Sequence, residues 1–98
     1  MELSDVQTLM EELFGDVDRK RGLPSSVAWL CEEVGEFAQA IRKGTPEQQL
    51  HELGDVIAWT VSLANQLGLS LEAALARYEA TAAAQRKPAT AHVGHAEL

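Results

Sequence analysis

Apolar residues recur every three or four positions along most of this chain, the spacing that lines one face of an α-helix. The first stripe is Val6, Leu9, Met10, Leu13, Phe14 and Val17. It opens at Ser4-Asp5-Val6-Gln7, which reads as a capping box, and runs through Asp18-Arg19-Lys20-Arg21 to Gly22 and Pro24. A second stripe starts at Ser25 or Ser26 and carries Val27, Leu30, Cys31, Val34, Phe37, Ala38 and Ile41. Arg42-Lys43-Gly44 closes it, with cations and glycine suited to a helix C-terminus. The third opens with Thr45-Pro46-Glu47-Gln48, a cap residue, a first-turn proline and a box-closing glutamine. It continues through Leu50, Leu53, Ile57, Trp59, Val61 and Ala64 to Leu67-Gly68. A fourth begins at Ser70, carries Leu71, Ala74, Leu75 and Tyr78, and fades into Ala82-Ala83-Ala84. The pattern predicts an all-α protein with one helical domain over residues 1–84. Residues 85–98 have no amphipathic period and read as a tail, ordered only where a partner subunit holds it.

Composition narrows the class. At 98 residues and 46% hydrophobic, the chain can build one modest core, with pairing to a second copy as an added source of stability. The single cysteine, Cys31, rules out an internal disulfide and suits a reducing cytosol; its place on an apolar stripe reads as a small buried hydrophobe. No secretory signal follows Met1, and no apolar run is long enough to span a bilayer. A net charge of −7 opposes nucleic-acid polymers and anionic membrane surfaces as partners. A small polyphosphate remains compatible if metal ions bridge the two sets of negative charge.

Two acidic phrases carry the chemistry: Glu32-Glu33-Val34-Gly35-Glu36 and Glu52-Leu53-Gly54-Asp55. Within each, carboxylates three or four residues apart share one helical face. Side-by-side helices would bring four or five of them together. Each like-charged pair at 4 Å repels by about 4 kcal/mol at an effective dielectric of about 20. A divalent cation is the simplest compensation, and oxygen-only ligands select Mg²⁺ or Mn²⁺. Gly35 and Gly54 sit inside the two phrases, where a helix interior disfavours glycine; close approach of helices or of a ligand is the expected reason.

The same residues resemble the signature of the MazG-like nucleotide pyrophosphohydrolases, in the all-α NTP pyrophosphatase superfamily. That signature is E-E-x-x-E followed downstream by E-x-x-D, and the likeness runs from about Asp18 to Tyr78. It implies Mg²⁺-dependent hydrolysis of a nucleoside triphosphate to the monophosphate and pyrophosphate, in house-cleaning of noncanonical or excess (deoxy)nucleotides. It implies a helical bundle formed with a second subunit, as a homodimer or homotetramer. By position, Glu33, Glu36, Glu52 and Asp55 become metal ligands, and Glu32 a further ligand or the group that orients and deprotonates the attacking water.

Other residues admit two readings. Arg19, Arg21 and Lys43 lie at helix C-termini, where the dipole accounts for them; the alternative is that one reaches a substrate phosphate. Trp29 and Trp59 fit either helix packing or stacking on a base. His51 reads as a surface residue or a supporting group beside Glu52, and Asn65 as ligand-facing or solvent-facing. His92 and His95 have metal-compatible spacing within the tail. Two other functions compete: phosphoribosyl-ATP pyrophosphatase, which shares the fold class, and a non-catalytic helical interaction module. A ferritin-like di-iron site lacks its Glu-x-x-His motif.

Overall fold

Four capped helical segments, each set off by a glycine or a cap residue, make up almost all of the described residues. The computed structural model describes residues 1–86, with α1 at Leu3–Arg21, α2 at Leu23–Lys43, α3 at Pro46–Leu67 and α4 at Leu71–Gln85. The chain is all-α, and the described residues contain no strand. His92 and His95 lie outside the described residues. No described helix is long and apolar enough to cross a membrane.

The helix ends follow local chemistry, with two departures from the expected starts. α3 and α4 begin as the sequence predicts. Thr45 Oγ1 accepts from Gln48 N at 3.1 Å while Gln48 Oε1 accepts from Thr45 N at 2.9 Å, and Ser70 Oγ accepts from Ala73 N at 3.1 Å. α1 instead takes Glu2 as its N-cap, whose amide donates to Asp5 Oδ2 at 2.8 Å. Gln7 is thereby released from the expected box with Ser4 and bonds across the fold. α2 starts at Leu23 rather than at Ser25 or Ser26, because Gly22 at φ 87° both ends α1 and opens α2. Ser26 therefore sits inside the helix, fully buried, accepting from Gln66 Nε2 at 3.2 Å.

α2 and α3 form an antiparallel hairpin over Gly44-Thr45. Its rungs run from Gln49 Nε2 donating to Ala40 O at 3.1 Å, through Trp29 stacked on Trp59, to Gln66 on Ser26. α1 lies across α3, and α4 packs mainly against α1. Gln7 fixes the α3–α4 corner: its Nε2 donates to Asn65 Oδ1 at 2.8 Å and Leu69 O at 2.9 Å, and its Oε1 accepts from Leu71 N at 2.9 Å. Asn65 Nδ2 returns a bond to Gln7 O at 2.9 Å. Asn65 thus serves as a structural clasp between α1 and α3.

The interior is thin. Among the described residues, only Ala40 and Val61 are buried apolar side chains, while Leu13, Val17, Ile41 and Leu50 are each more than half exposed. Cys31 is exposed too, which corrects its expected burial. The radius of gyration is 17.2 Å, against about 13 Å for a compact chain of about 100 residues. The helical stripes form as the periodicity predicts, yet much of their apolar surface has nothing against it.

Candidate functional site

The hairpin decides where the acids go. Glu33 and Glu36 lie one turn apart on α2, Glu52 and Asp55 one turn apart on α3, and the antiparallel pairing sets these two turns opposite each other. Glu33, Glu36 and Glu52 each place a carboxylate oxygen within 4.8 Å of the other two. Glu36 on α2 therefore faces both Glu33 on its own helix and Glu52 on α3. His51, Glu52 and Asp55 form a second group with the same 4.8 Å spread, joined to the first through Glu52.

The electrostatics match that crowding. Desolvation, then the charges of Glu36 and Asp55, push the Glu33 carboxyl above its ordinary range. Glu52 is raised by the same causes, with His51 partly offsetting them. Glu33 Oε1 and Glu52 Oε1 are enclosed and have no hydrogen-bond partner. An enclosed, unpartnered carboxylate oxygen is costly. Two of them facing one cluster fit a bound divalent cation, and all-oxygen donors suit a hard one.

Two recesses flank the acids. Lys43 lines an open cleft of about 480 Å³ with Glu36, Gln39, Gln48 and Glu52. A smaller cavity of about 200 Å³ begins at Asp55 and is walled by Phe14, Asp18, Arg21, Trp59 and Ser62. The Arg21 guanidinium lies 4.9 Å from the Trp59 ring centroid and its Nη1 donates to Asp18 Oδ1 at 2.9 Å. Asp18 is only 4% exposed. Trp29 stacks on Trp59 with centroids 5.8 Å apart and planes 5° from parallel.

The sequence-predicted residues thus divide. Glu33, Glu36 and Glu52 come together, with Asp55 joined to them through Glu52, and Arg21, Lys43 and Trp29 sit beside them or one ring away. Arg19 points elsewhere, paired with Glu11 at 2.7 Å and Asp16 at 3.1 Å. Glu32 is exposed and belongs to neither group. Gly35 and Gly54 do not serve close helix packing within the protomer, since a Cβ added at either would meet nothing within 4 Å. Sequence reasoning overlooked Asp18 and Ser62. Asp18 did carry a signal: an acid in the last turn of a helix opposes the dipole and calls for a local partner.

No curated protein gives a significant match to the chain. The model of one family, described as the MazG nucleotide pyrophosphohydrolase domain, matches residues 21–88. The matched span takes in both acidic turns and the hairpin that joins them. With a clustered carboxylate site on that hairpin, and with more than half of its length matched, the chain belongs to the MazG nucleotide pyrophosphohydrolase family.

Proposed function

We propose that this protein hydrolyses nucleoside triphosphates to the monophosphate and pyrophosphate, using Mg²⁺ (or Mn²⁺) held by Glu33, Glu36, Glu52 and Asp55. The family match supports a nucleotide pyrophosphohydrolase in general terms. The observation that carries the finer reading is the pair of enclosed, unpartnered oxygens on Glu33 and Glu52. A cation there would neutralise phosphate charge and acidify the attacking water. Glu36 on α2 brings a donor within 4.8 Å of that of Glu52 on α3, so both helices contribute to one cation position. Glu32, about 40° around α2 from Glu36 and free in solvent, is assigned to take the proton from that water. Lys43 is placed to meet phosphate oxygens in the larger cleft, and Arg21 with Trp59 offers a flat cationic face at the smaller cavity. Trp29 backs that face by stacking on Trp59. Arg19 is tied into its own ion pairs, so its part in substrate binding requires a neighbouring copy.

Assembly belongs to the same proposal. The uncovered apolar faces of α1 to α3 suit association as a homodimer or homotetramer. House-cleaning of noncanonical or excess nucleotides is the expected setting, and the cytoplasm the expected compartment. Nothing in the site favours phosphoribosyl-ATP pyrophosphatase activity or a purely non-catalytic role.

Ligand-dependent melting tests this reading. Mg²⁺ with a nucleotide carrying a non-hydrolysable α,β linkage should raise the melting temperature, and each alone should do less. No shift with any nucleotide of a full base panel, in Mg²⁺ or Mn²⁺, overturns it.

A further inference from the structure

We propose that His51 supplies an imidazole ligand to the acidic centre, creating with Glu52 and Asp55 a second cation position that prefers Mn²⁺ and softer divalent ions to Mg²⁺. The inference rests on the reading that the carboxylate cluster holds a cation. It concerns which cation and how many.

His51 and Asp55 are one turn apart on α3, so both project from one face. His51 Nε2 lies 3.3 Å from Asp55 Oδ2. That is the spacing of neighbouring ligands around an ion whose bonds are about 2.1–2.3 Å long. Donor atoms of His51, Glu52 and Asp55 all fall within 4.8 Å of one another. So, separately, do those of Glu33, Glu36 and Glu52. Glu52 is common to both groups and has two oxygens, one of them enclosed without a partner. A shared carboxylate joining an oxygen-rich position to a position with one nitrogen gives two cation positions of different character.

The donor chemistry sets their preference. Mg²⁺ favours oxygen and keeps its waters, whereas imidazole strengthens binding of first-row transition ions. Two simpler roles for His51 make different predictions. An exposed one-turn ion pair with Asp55 contributes little and is indifferent to metal. A supporting hydrogen bond that orients Asp55 would affect all cations alike.

Pulsed EPR on the full-length, nucleotide-free protein loaded with Mn²⁺ separates these cases, because a directly bound imidazole imprints a ¹⁴N coupling on the Mn²⁺ signal. The wild type should show that coupling and His51→Gln should lose it. In the same variant, Mn²⁺ affinity should weaken about tenfold while Mg²⁺ affinity changes less than about twofold. The wild-type spectrum needs no variant to fold, and His51 is 71% exposed, so the substitution disturbs no packing. Mn²⁺ binding without ¹⁴N coupling overturns the assignment of His51 and leaves the carboxylate site intact. Equal weakening of both metals also overturns it, in favour of an orienting role. If the wild type binds neither metal, this proposal and the proposed function fall together.

Discussion

At Glu36 the proposed function and stability pull in opposite directions. Its donor oxygen lies within 4.8 Å of those of Glu33 and Glu52, and its charge raises both of their pKa values. Glu36→Gln removes that repulsion and adds donors. Without metal, the variant should melt a few degrees higher than the wild type while losing at least about 100-fold in turnover. Calorimetry and a pyrophosphate assay on one preparation check both halves. The raised carboxyls also set a pH dependence. Between the ordinary carboxylate value of about 4.3 and the raised ones, the folded state holds more protons than the unfolded state. Stability from these groups is therefore greatest below that window and falls as pH rises through it. Saturating Mg²⁺ should flatten or reverse the slope, because cation and proton compete for the same oxygens. Urea midpoints measured across the window, with and without Mg²⁺, give the sign directly.

At the scale of elements, the α2–α3 hairpin builds the site and the α3–α4 corner holds the rest of the protomer to it. The Gln7 side chain makes three bonds at that corner, one of them to the Leu71 amide, which lies in the first turn of α4. Gln7→Ala should cost about 1–3 kcal/mol and loosen α4 selectively, visible as faster amide exchange at Leu71 and in the following turn. The hairpin was legible in the sequence because its signals are local. The Thr45-Pro46-Gln48 cap, the glycine at residue 44 and the i, i+3 acids need only neighbouring residues to be read. Gln7 was misread for the opposite reason: its partners lie about 60 residues away, and a capping-box pattern fits the same letters. Asp18 and Ser62 escaped notice because a cavity wall gathered from α1 and α3 leaves no mark on the period of either helix. The proposed role of His51 rests on its 3.3 Å distance to Asp55, which residue spacing alone does not give.

For the molecule as a whole, the thin interior is the governing fact. Among the described residues, two buried apolar side chains cannot offset the conformational entropy of ordering about 80 helical residues, at about 1–2 kcal/mol each for the backbone. The proposed assembly would supply the missing burial. Sedimentation should give two or four copies per particle, and the melting temperature should rise with protein concentration. Ile41→Asp, which puts a charge on an uncovered face, should weaken that association. The proposed assembly would cover faces of the same α2 and α3 that carry the acids, so activity should fall with dilution as copies separate. Phosphorus NMR of a nucleoside triphosphate panel with Mg²⁺ tests the heart of the account, because it reads which bond breaks. Equal amounts of monophosphate and pyrophosphate should accumulate with the wild type and be absent with Asp55→Asn. Diphosphate and orthophosphate as products, or undiminished turnover in that variant, would contradict the account.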